Sequence, residues 1–141
     1  MPAAEVMLDS NVLIYALSAA PGERHKRERA TELLANEDFG TSYQVLMETW
    51  VVATRKMAQP IPANEILAFL EKLLVFPCVF GTPGLYHQAV RLVSRHGIHP
   101  YDAAIVAAAH ELGASVLYSE DLNHGQTYDE VKVINPFRTK D

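Results

Sequence analysis

The chain has 141 residues, of which 49% are apolar and 21% are charged, and its formal net charge is −5. This length and apolar content predict one packed domain over residues 1–141 and exclude a disordered chain. The acidic balance argues against a general nucleic-acid binder, because affinity for phosphate comes largely from Lys and Arg. There is no run of about 18 apolar residues that would span a bilayer, and residues 1–5 lack the pattern of a secretion signal, so we expect a cytoplasmic protein with no membrane partner.

Short apolar strands alternate with helices along the chain. Strands are predicted over residues 5–8, 39–41, 78–80, 116–118 and 131–134. Helices are predicted over residues 11–17, 23–35, 43–57, 63–74, 85–95 and 102–112. Strands this short and this continuously apolar are typical of a buried parallel sheet. The order therefore predicts a doubly wound α/β fold, a mostly parallel sheet of about five strands with helices on both faces.

Two aspartates directly follow predicted strands. Asp9 ends the first strand, and Asp121 comes shortly after the fourth strand in chain order. In open α/β sheets, ligands bind beyond the carboxyl ends of the strands, near the point where the strand order reverses. If these two strands are neighbours, the two carboxylates lie at that point.

Four acids lie at the edge of, or inside, apolar segments: Asp9, Glu48, Asp102 and Asp121. Burial of an unpaired carboxylate costs several kcal/mol, so these acids indicate either four separate partners or one shared cation. Asp9 and Asp102 each have an ordinary explanation as caps of the helices that follow, and Asp121 has one as a turn residue. Glu48 lies on an apolar helical stripe and has no such explanation. One shared cation is the simpler interpretation.

A site made of carboxylate oxygens, without a set of His or Cys ligands, selects hard cations. We therefore predict Mg²⁺ or Mn²⁺ rather than zinc. Such an ion can activate water and stabilise charge on a phosphodiester, which suits phosphoryl chemistry. Without the metal, close carboxylates repel one another, so the site should be loosened or partly protonated.

Other candidate groups give weaker signals. The histidines stand in loops or singly on helices, and a structural role is the simpler interpretation for each: His96, His99, His110 and His124. The single Cys78 lies in an apolar run and is predicted to be a buried thiol without a chemical role. The basic residues between Arg24 and Arg29 are interpreted as a solvated helix face rather than a contact for a polyanion.

Four stretches in order, LDSNVLIY (8–15), QVLME (44–48), YDAAIVAAA (101–109) and YSEDLNHG (118–125), resemble the PIN-domain ribonucleases, in particular the VapC-type toxins. The resemblance implies a Rossmann-like sheet and a Mg²⁺- or Mn²⁺-dependent endoribonuclease that cleaves RNA. It also implies a homodimer and inhibition by a cognate antitoxin.

The resemblance further assigns roles to particular residues. The metal ligands and catalytic residues would be Asp9, Glu48, Asp102 and Asp121. Polar neighbours would orient these acids: Ser10, Asn11, Ser119 and Asn123.

Two alternatives remain open at this point. A PIN nuclease of RNA processing would share the site without being a toxin. A receiver-like switch also has a parallel sheet and an acidic Mg²⁺ pocket, but its acids would come from strand ends, whereas Glu48 and Asp102 are predicted on helices.

Overall fold

The structure is a computed structural model that describes residues 3–139. The prediction of one domain also includes residues 1–2 and 140–141, which lie outside this described part. The strands are β1 (Val6–Leu8), β2 (Phe39–Ser42), β3 (Cys78–Val79), β4 (Val116–Tyr118), β5 (Thr127–Tyr128) and β6 (Val131–Ile134). The helices are α1 (Ser10–Leu17), α2 (Arg24–Asn36), α3 (Tyr43–Val51), α4 (Ala63–Leu73), α5 (Pro83–His96) and α6 (Pro100–Glu111). A 3-10 turn, Pro21–Glu23, precedes α2, and a π-helical turn, Val52–Lys56, extends α3.

The strands form a six-stranded sheet in the order β3-β2-β1-β4-β6-β5. Every pair of neighbours is parallel except β5 and β6. The predicted α/β fold with a mostly parallel sheet is thus confirmed. The sixth strand, β5, was not predicted. It has only two residues, too few to show a periodicity, and it exists because a tight turn through Asp129 and Glu130, both with positive φ, folds it back onto β6.

The central strand β1 is covered on both faces. Its three residues are all buried: Val6 is 7% exposed, and Met7 and Leu8 are 0% exposed. Because successive side chains of a strand point to opposite faces of the sheet, burial of all three requires packing on both sides. This explains why the strand reads as a continuous apolar run in the sequence.

The strand order reverses beside β1. The chain passes from β1 to β2 and β3 on one side, then returns to place β4 on the other side of β1. The backbone N–H of Asp9 donates a hydrogen bond of 3.0 Å to the carbonyl oxygen of Tyr118, which ties the carboxyl ends of β1 and β4 together. The segments that follow these two strands therefore start from adjacent points.

Several helix boundaries differ from the predictions by one or two residues, and two differences matter more. Helix α6 begins at Pro100, and its cap is His99, whose ring Nδ1 accepts a hydrogen bond from the N–H of Tyr101 at 3.2 Å. Asp102 is thus the third residue of the helix, and it is not the cap. Proline is favoured at the first helical position because the N–H that it lacks has no partner there. The predicted helix over residues 43–57 ends as an α-helix at Val51 and continues as the π-helical turn.

In residues 3–139, no helix is long and apolar enough to cross a membrane.

Gly40 in β2 lies where the sheet and α6 approach closely, which gives a stability prediction. A Cβ at this position would lie 2.9 Å from Leu112 Cδ1 and 3.0 Å from the carbonyl oxygen of Pro77. Gly40→Ala should therefore lower the free energy of unfolding by about 1–3 kcal/mol, measured by urea denaturation. The control is Gly22→Ala, since a Cβ at Gly22 meets nothing within 4 Å. Equal denaturation midpoints for the two variants would contradict this account of the packing.

Candidate active site

Asp9 is the most buried of the predicted site acids. It follows β1 and caps α1, and only 3% of the residue is exposed. Its Oδ1 accepts a hydrogen bond of 2.7 Å from the N–H of Ser10, and its Oδ2 accepts one of 2.7 Å from the hydroxyl of Ser119. The local explanation as a cap is thus correct. It does not account for a carboxylate buried among neutral donors only.

Burial shifts the titration of this carboxyl group. Loss of solvation raises the pKa of Asp9 from 3.8 to about 6. The hydrogen bonds from Ser119 and Ser10 oppose this rise, and the negative charges of Glu48 and Asp121 add to it. Asp9 is therefore protonated more readily than an exposed aspartate.

Glu48 reaches the same region from α3. This helix starts directly after β2, where the Ser42 hydroxyl caps it by accepting a hydrogen bond from the N–H of Val45. The buried Val45 and Thr49 flank the half-buried Glu48 on the inner face, as its position in the apolar stripe predicts. The Ser10 hydroxyl donates to Glu48 Oε2 at 3.2 Å. Ser10 thus contacts two site acids: its N–H donates to Asp9, and its hydroxyl donates to Glu48.

Gln44, for which the sequence predicts no role, holds Glu48 from the opposite side. Its Nε2 donates to Glu48 Oε1 at 2.8 Å and to the backbone oxygen of Tyr101 at 3.2 Å. It therefore joins α3 to the first turn of α6, next to Asp102. The signal was present in the sequence, because side chains four residues apart on a helix are neighbours.

Asp121 lies beyond β4 and is exposed, and Asn11 of α1 holds it. The Asn11 Nδ2 donates to Asp121 Oδ2 at 3.2 Å and to the Ser119 hydroxyl oxygen at 3.4 Å. The same hydroxyl oxygen accepts a hydrogen bond from the N–H of Asp121 at 3.2 Å. Asn11 and Ser119 thus connect Asp121 to Asp9.

Asp102 completes the group from the first turn of α6. Burial raises the pKa of Asp102; His99 opposes the rise, and the charges of Asp121 and Glu48 add to it. Asp102 is therefore within electrostatic range of two other site acids. The N-terminal end of a helix also favours a negative charge at this position.

Three of the four polar residues that were predicted to orient the acids form hydrogen bonds to them. Ser10, Asn11 and Ser119 each donate a hydrogen bond to one of the acids. Asn123 is exposed, and within residues 3–139 its side chain makes no hydrogen bond to them. Only its carbonyl oxygen is engaged, by the N–H of Gln126 at 3.1 Å. Asn123 thus shapes the turn after Asp121 and does not orient an acid.

The predicted acids lack basic partners. None of the four ion pairs in the described part of the chain involves Asp9, Glu48, Asp102 or Asp121. Over the same residues, no three His, Cys, Asp or Glu side chains lie close enough to form a preassembled metal group. The carboxylates are spaced by serine, asparagine and glutamine side chains. Oxygen donors, uncompensated negative charge and neutral polar spacers are the chemistry that a hard divalent cation selects.

The other singled-out residues have structural contacts. His99 caps α6, the His124 Nδ1 accepts a hydrogen bond from the N–H of Asn135 at 3.0 Å, and the His96 ring packs edge-on against Tyr128. Cys78 lies in β3, where burial raises the pKa of its half-buried thiol. These contacts agree with structural roles, and of these residues only His99 influences a site acid, by opposing the rise in the pKa of Asp102.

Comparison with known proteins gives a family and a fold. A family model described as the PIN domain matches residues 6–130. The toxin VapC20 of Mycobacterium tuberculosis, which cleaves the sarcin-ricin loop, is 23% identical, with a TM-score of 0.67 over 82% of this chain and 89% of that chain. A toxin–antitoxin complex from Klebsiella pneumoniae is 18% identical, with a TM-score of 0.69 over 93% and 97%. VapBC-1 of nontypeable Haemophilus influenzae is 19% identical, with a TM-score of 0.58 over 94% and 98%.

These structures share the fold with the chain. No curated protein sequence matches it.

The buried Asp9 carboxyl group gives a pH prediction for the protein in EDTA. Burial raises the pKa of Asp9 to about 6 in the folded protein. The uncharged side chain therefore contributes fully to the free energy of unfolding below pH 3.8, and this contribution is lost as the pH rises through 6. The loss is roughly 3 kcal/mol. Asp9→Asn keeps a capping oxygen but cannot ionise, so the wild type should lose stability relative to this variant between about pH 4 and pH 7. Urea denaturation across this range measures the difference.

Asp38→Asn, which removes an exposed carboxylate, controls for the loss of one charge. If the difference between the wild type and Asp9→Asn does not change with pH, burial does not destabilise the Asp9 carboxylate.

Proposed function

The chain belongs to the PIN domain family, and we propose that it is a divalent-metal-dependent endoribonuclease that acts as the toxin of a toxin–antitoxin pair. One observation carries the proposal: carboxylates that follow β1 and β4 and that stand on α3 and α6 face the switch point of the sheet, and none of them has an ion pair in the described part of the chain. The structural neighbours support the toxin assignment, since they include a toxin that cleaves the sarcin-ricin loop and complexes of toxins with antitoxins.

The proposed metal ligands are Asp9, Glu48, Asp102 and Asp121, and Mg²⁺ or Mn²⁺ is the ion that their oxygens fit. When bound, such an ion makes water a stronger acid and stabilises negative charge on phosphodiester oxygens. The substrate is RNA, and the reaction is hydrolysis of a phosphodiester bond.

The chain's own residues keep these acids in position. Ser10 and Ser119 fix the two oxygens of Asp9, and Gln44 fixes Glu48. Asn11 holds Asp121. All of these donors are neutral, so they orient the carboxylates without cancelling their charge. The full negative charge of the site is then available to a metal ion.

The same charge provides a means of inhibition. An antitoxin segment that inserts an Arg among the acids satisfies them with bidentate hydrogen bonds and displaces the metal. Inhibition then requires no change in the fold of the toxin. The neighbouring toxin–antitoxin complexes support a protein partner of this kind.

A homodimer is part of the proposal. Exposed apolar side chains surround a groove of about 390 Å³ between α3, α5 and the start of α6. They are Tyr43 (53% exposed), Tyr86 (67%), Val90 (45%) and Tyr101 (69%). Such a patch is typical of a protein–protein contact.

Family membership favours a nuclease over the receiver-like switch. Two of the acids also come from helices, as expected for the nuclease. The choice between a toxin and a nuclease of RNA processing depends on what the active protein does in a cell.

The metal site predicts that the purified protein cleaves RNA with Mg²⁺ or Mn²⁺ and that EDTA abolishes cleavage. Asp9→Asn and Asp102→Asn should each lower the cleavage rate by on the order of 100-fold or more, because each removes a charge from the ion's ligands. Cleavage of a labelled RNA measures the rate. Millimolar Mg²⁺ should also raise the Tm of the wild type, since the ion binds the folded state.

Glu32→Gln is the matched control, because Glu32 is an exposed acid paired with Arg29 within α2. It should cleave at the wild-type rate. Wild-type cleavage by carboxamide variants of all four site acids would show that the shared site is wrong.

The toxin assignment predicts that expression of this chain alone arrests growth and that co-expression of the adjacent small gene restores it. Asp9→Asn should be harmless at equal protein level, because arrest depends on the nuclease site. Growth curves with immunoblots measure both. Arrest by Asp9→Asn would show that toxicity has another origin, and harmless wild-type protein at high level would indicate the non-toxin nuclease.

A further inference from the structure

Glu120 is a fifth carboxylate next to the acidic site, but its side chain does not join that site. It stands between Ser119, which donates to Asp9, and Asp121, and Asn11 donates to both of these neighbours. The Glu120 side chain instead accepts hydrogen bonds from the Tyr15 hydroxyl at 2.8 Å and from Lys26 Nζ at 2.6 Å. The negative charge of Glu120 is thus paired with Lys26 on the side of α1 and α2.

Lys26 makes the one ion pair in residues 3–139 that involves a neighbour of the site acids. Two of the other three pairs lie within α2, and the third joins the exposed Arg95 to Asp129. Lys26 and Glu120 are 94 residues apart in sequence, and their side chains are only 35% and 26% exposed. This contact departs from the prediction that the basic residues of α2 form a solvated face.

Aromatic rings fix the position of the ammonium group. Lys26 Nζ donates a hydrogen bond of 3.0 Å to the Tyr15 hydroxyl and lies 4.6 Å from the centre of the Tyr15 ring. It also lies 5.8 Å from the ring centre of Phe137, which packs edge-on against Tyr15. Ammonium groups are attracted to ring faces at these distances. Lys26 is therefore held by three groups and is not a freely moving surface lysine.

The backbone of Glu120 is held from the other side. Its N–H donates to Asn11 Oδ1 at 3.1 Å, and Asn11 precedes Tyr15 by one helical turn on α1. One helix thus holds the segment 119–121 twice, through the backbone at Asn11 and through the Glu120 side chain at Tyr15. Lys26 supplies the positive charge that makes the second contact favourable.

We propose that Lys26 and Tyr15 are positioning residues that hold the Glu120 carboxylate away from the site acids and thereby fix the segment that carries Asp121. The proposal rests on the proposed nuclease function for its kinetic consequence. Without Lys26, Glu120 adds an unpaired negative charge beside Asp121, and the segment is free to turn toward any cation in the site. Misplacement of one ligand then lowers the rate of the chemical step.

The test is a charge-compensation series. Lys26→Met should lower kcat for RNA cleavage by roughly tenfold or more with little change in KM, because Lys26 orients a ligand and does not touch the substrate. Lys26→Arg should keep most of the activity. The double variant Lys26→Met/Glu120→Gln should recover most of the lost kcat, since no unpaired charge remains. The control Lys72→Met, which removes an exposed lysine of α4 that has no ion pair in the described part, should match the wild type.

Hydrogen exchange of the peptide spanning residues 116–124 gives a second readout that requires no activity. Exchange should be faster in Lys26→Met than in the wild type and should return toward the wild-type rate in the double variant. If the wild type cleaves no RNA, the proposed function fails alone, and this measurement still decides the inference.

Two results would overturn the proposal. One is a Lys26→Met protein with wild-type kcat and exchange. The other is a double variant as impaired as the single one, with a raised KM, which would mean that Lys26 contacts the RNA itself. If Lys26→Met does not fold, Tyr15→Phe replaces it, because it keeps the ring and deletes the hydroxyl that donates to Glu120. Faster exchange of 116–124 in Tyr15→Phe then supports the proposal, and unchanged exchange overturns it.

Discussion

The pairing of β1 with β4 is the constraint on which the rest of the site depends. The hydrogen bond from the N–H of Asp9 to the carbonyl of Tyr118 joins the carboxyl ends of the two strands. It places α1 beside the segment that follows β4, so that Asn11 can reach Ser119 and Asp121. A change in this register by one residue would turn the side chains of β4 to the opposite faces of the sheet and displace the segment that carries Ser119 and Asp121.

Neutral and charged partners are segregated around the acids. Serine, asparagine and glutamine side chains contact the carboxylates directly, whereas Lys26 is directed to Glu120. Neutral donors orient the carboxylates and leave their negative charge uncompensated. The consequence is a cluster of negative charge that is unfavourable by itself, since burial raises the pKa of Asp9; in the proposed function a bound cation relieves it. In the proposed function, this uncompensated negative charge attracts both the metal ion and an antitoxin arginine.

In the proposed function, stability and activity therefore oppose each other at Asp9. The buried carboxylate weakens the metal-free fold at neutral pH, and the packed strand β1 compensates, since Met7 and Leu8 are fully buried on opposite faces of the sheet. Rigid packing directly before Asp9 also fixes where its side chain begins. Precise placement of a functional group on a regular element is what a preorganised site requires.

The sequence by itself determined the fold class and the candidate acids. Continuous apolar strands between helices specify a covered parallel sheet, and Glu48 is conspicuous because a carboxylate in an apolar stripe has no local explanation. The tertiary structure alone decided that β4 lies beside β1, that His99 rather than Asp102 caps α6, and that Lys26 pairs with Glu120. Local periodicity records which face of an element is buried, but it holds no information on which distant segment covers that face. Contacts between residues that are 94 positions apart, such as Lys26 and Glu120, arise only once the sheet order is fixed.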